Sequence, residues 1–481
     1  MKKILLFVLM LLSVFTLFAC ETTVDINKQL ERIIPTEIKS DLVLDTNING
    51  LDVSWYFNGE LLTDGKLDQP YLDYARKLPL KAVIGNESYE FEVETESKYE
   101  IVSKLYLNTE NQTGISKEAY VKGSVSLSND GTYLNNDLSM KVKGRGNSTW
   151  GNPKKPYKIK FDDRVSLLGM KSAKTYVLLA EYNDKSLMRN YVAHKMASML
   201  DVGYKIDTRF VELYLNNNYE GFYTLTEQVE TDKNKLDIAA GISPTDGFLI
   251  ELEADDRVGN EGIEDIHWIR VNGRNYVIKS PDVDDFSNQE LQIKAKSIKD
   301  YLIIVENSIA ADTYDQYIDV DSFIDYFLIQ ELTKNVDSGY SSVYSFKDKN
   351  GLLTMGPIWD FDISLGNGDY FDSTYAGFHA YGANHWFTLL MDAPSFRARY
   401  ILRYNEFYMN ILDVIETSII KVRESTIEER KLNFTRWQIM GEYVWPNPPH
   451  MVKADTVEKQ DDLLLDYLNA RADHLFVAYN K

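Results

Sequence analysis

One cysteine, Cys20, stands in a chain of 481 residues. An intramolecular disulfide is therefore excluded, as is a zinc site with more than one thiolate. Imidazole is scarce too. The six histidines, at 194, 267, 379, 385, 450 and 474, show no metal-ligand spacing, and His379 and His385 read as loop or core residues. Positive charge falls short of negative, with 52 Lys+Arg against 73 Asp+Glu and a net charge of −21. That argues against non-specific nucleic-acid binding, which rests on phosphate neutralisation, but not against a metal-complexed nucleotide in a locally basic cleft. No P-loop, His-Glu-x-x-His pair or Gly-x-Ser-x-Gly elbow occurs. An EF-hand loop opening at Asp360 would need Gly at its sixth position and Glu at its twelfth; Leu365 and Phe371 stand there instead. No internal repeat is visible.

Long apolar runs are rare, and the one at the N-terminus has a targeting pattern. Lys2-Lys3 is followed by Ile4 to Phe18, apolar apart from Ser13 and Thr16 and rather short for a membrane span. The run ends Leu17-Phe18-Ala19-Cys20, which resembles the bacterial lipoprotein cleavage box. Residues 1–19 are thus expected to be a lipoprotein signal peptide and Cys20 the lipidated residue. Cleavage there removes Lys2 and Lys3, leaving a still more acidic chain that an anionic membrane surface repels. Acyl chains would then hold an extracytoplasmic protein at the membrane.

Residues 20–35 read as a tether with a short amphipathic piece. From 36 to 97, alternating strands follow: Leu42 to Leu44, Leu51 to Phe57, Leu78 to Ile84 and Tyr89 to Val93. Asn58-Gly59 and Asp64-Gly65 have hairpin-turn composition. Trp55, the Asp64-Gly65 turn and Leu80-Lys81-Ala82 resemble the degenerate immunoglobulin-like repeats of bacterial surface proteins, which implies a small all-β sandwich acting as a spacer. Residues 100 to about 240 predict a five-stranded sheet with one helix, from about Lys185 to Leu200 and capped by Asn183-Asp184, between its third and fourth strands. From about 241 the pattern gives two short strands, Phe248 to Glu253 and Tyr276 to Lys279, and then becomes mainly helical.

The sharpest chemistry lies near residue 350. Asn335-Val336-Asp337 precedes an alternating strand, Val343 to Lys347, and a turn, Asp348 to Gly351. Pro357-Ile358-Trp359-Asp360-Phe361-Asp362 follows, closed by Gly366-Asn367. Two acidic clusters on one hairpin can face one cleft, and carboxylates framed by Trp359 and Phe361 need a compensating cation. Protein kinases show the same order: a base Asp, a hairpin, then an Asp-Phe that holds magnesium. Hard oxygen donors favour Mg²⁺ or Mn²⁺ over zinc.

Upstream, Lys143-Gly144-Arg145-Gly146-Asn147-Ser148-Thr149-Trp150 is followed by Lys155-Pro156-Tyr157-Lys158-Ile159-Lys160. Then come Tyr182-Asn183-Asp184, Met188-Arg189-Asn190, Leu213 to Asn216, Glu220 to Tyr223 and Glu227-Gln228-Val229. With the acidic hairpin, and in this order from about 140 to 480, these resemble the CotH family of spore-coat-type atypical protein kinases. The resemblance implies an α+β chain with a two-lobed minimal protein-kinase-like fold over 100–481, the lobes being about 100–240 and 241–481. It also implies ATP-dependent transfer to Ser/Thr of a protein, here a phosphoacceptor on the cell surface or envelope.

Under that resemblance Asp337 is the base and Asp360 the metal ligand, with Asp362 a second ligand or an orienting group. Ser342 occupies the position five residues after the base, where ordinary kinases carry a metal-binding Asn. Arg145 would clamp phosphate, with Asn147 in the same turn. Lys158 or Lys160 would be the strand lysine on the phosphates, with Lys158 the choice. The helix lacks the usual Glu partner for that lysine, and Arg189 and Asn190 match the family there instead. Glu227 and Gln228 would stand at the adenine hinge. A catalytically silent kinase-like surface module is the alternative. A glycosidase on Asp337 and Asp360 would explain neither the lysine-bearing strand nor the Arg145 turn.

Overall fold

The computed structural model describes residues 26–70, 76–95, 102–129, 132–260, 267–282 and 286–481, in two compact units, Met1–Glu100 and Ile101–Lys481. Cys20 and the apolar N-terminal run lie outside the described residues. The chain is a mixed α+β protein with a β-rich N-terminal region.

In the first unit, α1 (Ile26–Ile33) is followed by β1 (Glu37–Ile38), β2 (Leu42–Val43), β3 (Asn47–Ile48), β4 (Leu51–Phe57), β5 (Glu60–Leu61), β6 (Lys66–Leu67), β7 (Arg76–Ile84) and β8 (Glu87–Thr95). The order β1-β8-β7-β4-β3 forms one sheet, with β5 on β4; β2 and β6 form a second. Alternation on β4 turns Val53, Trp55 and Phe57 into a core shared with Leu80, Ala82, Val93 and Leu67. Two expectations change. The stretch read as tether contains α1, whose Leu30 is fully buried in this core. Asp64-Gly65 closes no hairpin, because β6 pairs with β2 rather than β5. It forms a tight turn in which a Cβ on Gly65 would lie 2.0 Å from the Leu44 carbonyl oxygen.

The second unit begins with β9 (Ser103–Thr109), β10 (Val121–Asn129), β11 (Thr132–Gly144), β12 (Tyr157–Val165), β13 (Ala173–Leu179), α2 (Arg189–Ser198), β14 (Thr208–Leu215) and β15 (Asn218–Glu227). These strands close into a barrel in the order β10-β11-β12-β13-β15-β14-β9, not the five-stranded sheet expected. Closure comes from β9 lying parallel to β14, Leu105 opposite Leu213. Tyr157, Ile159 and Phe161 of β12 point inward, and Lys158 and Lys160 point the other way. Helix α2 starts four residues later than the sequence suggested, and its residues Arg189 to Ala197 are all buried.

Beyond the barrel, β16 (Phe248–Glu253), α3 (Asp255–Asn260), β17 (Trp268–Val271), β18 (Arg274–Ser280), α4 (Asn288–Ala310), α5 (Val320–Thr333), β19 (Val343–Lys347) and β20 (Leu353–Met355) follow. The antiparallel sheet β17-β18-β16-β19-β20 places the acidic hairpin beside β16. Then come α6 (Ala380–Ala383), α7 (His385–Asp392), α8 (Pro394–Asn410), α9 (Leu412–Ser425), α10 (Ile427–Arg436), α11 (Pro449–Lys453) and α12 (Val457–Tyr479). Almost every residue of α5 is buried, and it packs against α2, α8, α12 and β20. A helix buried on every side belongs at the centre of a helical layer. Among the described residues, no helix is long and apolar enough to cross a membrane.

Candidate active site

Helix α5 stops at Thr333, where Lys334 takes a left-handed backbone with φ 50°. The Asn335 side chain then accepts a hydrogen bond from the Asp337 amide and opens the tight turn Val336–Gly339. That turn delivers Asp337 just before β19. The second acidic cluster leaves β20 on the same end of the sheet. Ser342 Oγ donates to Asp360 Oδ2 at 3.2 Å and ties the two clusters together. Ser342 (φ 58°), Asp360 (φ 67°) and Glu181 (φ 50°) all hold left-handed backbone without being glycine. Such strain persists only where the surroundings fix it, and it concentrates at functional sites.

The surroundings do fix it. The Phe361 amide donates to Asn190 Oδ1 at 2.7 Å, and Asn190 Nδ2 donates to both Glu181 oxygens. Ser364 Oγ donates to the Phe361 carbonyl, and Asn367 Nδ2 to the Asp362 carbonyl. Helix α2 and the Asp360–Asn367 segment therefore form one hydrogen-bonded block under the site.

A cleft of about 290 Å³ opens between the barrel and the five-stranded sheet. The barrel side supplies Arg145 to Thr149, Pro156, Leu179 to Tyr182 and Gln228; the sheet side supplies Glu251, Glu253, Arg257, Lys279, Ser342, Tyr344 and Trp359, with Asp360 and Asp362. Asp337 stands beside this lining, close enough for its carboxyl to feel Asp360. Burial first, and the Asp360 charge second, lift Asp337 to about 7 against the opposing pull of Arg257. Asp362 is pushed well above the carboxylate range by burial, then by Asp360, Glu181, Asp337 and Asp184. Glu181 is lifted to about 8 by burial and Asp184, with Asn190, Thr224 and Lys154 opposing.

Carboxyls that hold protons because they are buried, and that also feel one another's charge, form a site that a cation would relieve. Among the described residues lining the cleft there is no histidine or cysteine, so the donors are hard oxygens, suited to magnesium or manganese. No three acidic or imidazole groups among the described residues converge as a complete ligand set. Magnesium does not require one, since it is usually held by one or two carboxylates, waters and substrate phosphates. Asp360 and Asp362 fit that role.

The Arg145 turn lines the cleft. Gly146 has φ 81°, and a Cβ there would lie 2.1 Å from Thr149 Oγ1; a Cβ on Gly144 would meet the Trp150 ring at 2.4 Å. The guanidinium of Arg145 lies 5.4 Å from the Trp359 ring centroid, which joins barrel to sheet through a cation–π contact. Asn147 lines the cleft in the same turn. Lys158 sits opposite Lys143 on the barrel wall outside the lining. Burial lowers its ammonium to about 8, with Glu230 opposing and Lys143, Lys160 and Arg145 adding to the fall. Lys160, on the same face, is exposed and does not line the cleft.

Two candidates are used elsewhere. Arg189 is entirely buried, pairs with Asp184, and donates to the Ser364 carbonyl at 2.9 Å. It is a structural tie and cannot touch a ligand in the cleft. Its neighbour Asn190 lines the cleft in its place. Glu227 is also fully buried and accepts from the Tyr204 hydroxyl at 2.5 Å; burial and Asp207 raise it to about 7. Of that pair only Gln228 faces the cleft.

Glu181, Glu251, Glu253, Arg257 and Lys279 were not singled out from the sequence. One signal was present: Glu251 and Glu253 interrupt the apolar strand Phe248-Leu-Ile-Glu-Leu-Glu253 at alternate positions, so they share one face. Glu251 there accepts from the Tyr344 hydroxyl and pairs with Lys279 at 3.1 Å.

No curated protein matches the chain. The family model described as CotH kinase protein matches residues 142–475, which spans the Arg145 turn, both acidic clusters and every residue named in the cleft, and the chain belongs to that family.

Proposed function

We propose that this chain is an extracytoplasmic, membrane-anchored protein kinase that transfers the γ-phosphate of ATP to Ser or Thr of a cell-surface protein. The observation that carries this is the placement of Asp360 and Asp362 in one cleft that Arg145 and its glycine turn also enter, with Asp337 beside it. The barrel then acts as the N-lobe, the α5-centred part as the C-lobe, and the Met1–Glu100 unit as an immunoglobulin-like spacer. Family membership supports kinase chemistry in general.

Asp337 receives the proton of the acceptor hydroxyl as its oxygen bonds to the γ-phosphorus and the bond to the β-phosphate oxygen breaks. Asp360 and Asp362 would hold magnesium, whose contribution when bound is neutralisation of phosphate charge. Arg145 neutralises phosphate from the barrel side, and Ser342 fixes the Asp360 rotamer through its hydrogen bond. Asn190 locks Glu181 to the Phe361 backbone, so the carboxyl cluster needs little reorganisation.

The test uses the chain from residue 21 with labelled ATP, Mg²⁺ or Mn²⁺ and a Ser/Thr acceptor, beside Asp337→Ala and Asp360→Ala. Transfer by the parent chain, lost in both variants, is the expected result. Metal-dependent ATP binding without transfer points to a silent kinase-like module. Absence of nucleotide binding rules out the kinase.

A further inference from the structure

We propose that Lys334 is a positioning residue for phosphoryl transfer: it straps the segment Asp372–Asn384 around the turn that carries Asp337 and so fixes the base; this rests on the kinase reading above. Its side chain is 2% exposed. The ammonium donates to Asp372 Oδ2 at 3.2 Å, to the Thr374 carbonyl at 2.9 Å and to the Ala376 carbonyl at 2.8 Å, so all three of its N–H donors are used within the chain. Lys334 also ends α5 in the left-handed region, with φ 50°, where Gly or Asn is the ordinary choice. A lysine at that place bears a steric cost, which its three hydrogen bonds offset and a glycine could not recover.

The strap is fastened to the same turn at its other end. Asn384 Nδ2 donates to the Ser338 carbonyl at 2.7 Å, and the Phe387 amide of α7 donates to Asn384 Oδ1 at 3.2 Å. Gly339 lies so close to the end of α6 that a Cβ there would be 2.1 Å from the Ala383 carbonyl oxygen. Asp337 stands between the two fastenings, three residues after Lys334 and one before Ser338. Midway along the strap, Glu331 accepts from the His379 and Tyr381 amides at 2.7 and 2.8 Å. Arg471 of α12 pairs with Glu331 at 2.6 Å and donates to the Tyr375 carbonyl at 2.8 Å. Both of those side chains are fully buried, so replacing either strands a charge and unsettles the fold. Lys334 meets the strap at its outer edge, where Asp372 is 66% exposed, and a cut there loosens one end only. A base must lie within hydrogen-bond reach of the proton it takes, and a misplacement of about 1 Å is enough to cost about 10²-fold in rate.

The experiment measures kcat, KM for ATP and calorimetric Mg²⁺-ATP binding for the chain from residue 21, Lys334→Met and Asp372→Ala, with thermal unfolding of each. Lys334→Met is expected to lower kcat about 10²-fold while KM for ATP and ATP affinity stay unchanged, because neither residue replaced lines the cleft. Asp372→Ala removes one of the three acceptors from the solvent side, so it should lower kcat in the same way by a smaller factor. Where Lys334→Met does not fold, Asp372→Ala carries the test, and an unchanged kcat there overturns the assignment. An unchanged kcat in a folded Lys334→Met overturns it too. So does ATP binding lost in step with kcat, which marks Lys334 as a support of the fold alone. Each of those results leaves the kinase reading standing. A parent chain that transfers no phosphate overturns both.

Discussion

Glu227 illustrates how burial decides what a polar residue can do. It lies at the end of β15, opposite Tyr176 of β13, and its carboxyl is enclosed with the Tyr204 hydroxyl and the Asp207 amide. Its folded value of about 7 is above the ordinary 4.5, so the native state binds the extra proton. Stability is therefore full below about 4.5 and falls as pH rises to about 7, costing about 3 kcal/mol above that. Glu227→Gln keeps an oxygen for both donors and removes the titration. Its melting temperature is expected to exceed that of the parent chain at pH 8 and to match it near pH 5. An offset that does not change with pH would show that the carboxyl does not titrate in this way. In the sequence, Glu227 and Gln228 look like equivalent candidates, because strand alternation says they face opposite ways but not which way is inward. Arg189 misleads for the same reason, since a motif shows residue type and spacing and not enclosure. Asp337, Asp360 and Asp362 were legible because apolar residues and glycines frame them closely. Arg257 and Glu181 were not, because each belongs to a different segment and only the fold brings them to the cleft.

Between residues and the whole molecule, the element that matters most is the block formed by α2, the 181–188 loop and the Asp360–Asn367 segment. Asp184 accepts from the Ser186, Met188 and Arg189 amides and so caps α2 from within the loop. Arg189 pairs with that carboxylate and donates to the Ser364 carbonyl. Both side chains are fully buried, so removing one partner leaves the other charge uncompensated. Arg189→Met is expected to cost about 3–5 kcal/mol, read as a lower urea midpoint. Adding Asp184→Asn should restore part of it, because the stranded charge is then gone. A double variant no more stable than the single would assign the loss to the Ser364 contact instead. The helix itself was legible from its cap and spacing, as were β10, β11, β12, β14 and β15 from their alternation and turns. The barrel was not. Strand β13, Ala173–Leu179, is buried along almost its whole length and shows no clean alternation. The closing pair, β9 with β14, joins residues about a hundred positions apart, and no local pattern encodes such a register.

For the molecule as a whole, the closed barrel sets where an independently folding piece can begin. The family match starts at residue 142, yet β9 and β10, Ser103–Thr109 and Val121–Asn129, precede it and complete the barrel. A fragment of 142–481 would lose β9, β10 and most of β11. It would expose the ladder edges of β12 and β14 and the inner side chains Ile159 and Leu213, both fully buried in the intact barrel. An open edge beside uncovered apolar surface invites aggregation. A fragment of 102–481 keeps every strand, and the compact unit Ile101–Lys481 has its own core. The 102–481 fragment is therefore expected to fold and to bind Mg²⁺-ATP with the affinity of the chain from residue 21, whereas 142–481 is expected to be insoluble or molten. Scanning calorimetry of the chain from 21 should show one transition more than that of 102–481, contributed by the smaller unit. Cooperative unfolding of 142–481 with nucleotide binding intact would mean that β9 and β10 are dispensable and that the cleft is held by the remaining strands and α2 alone.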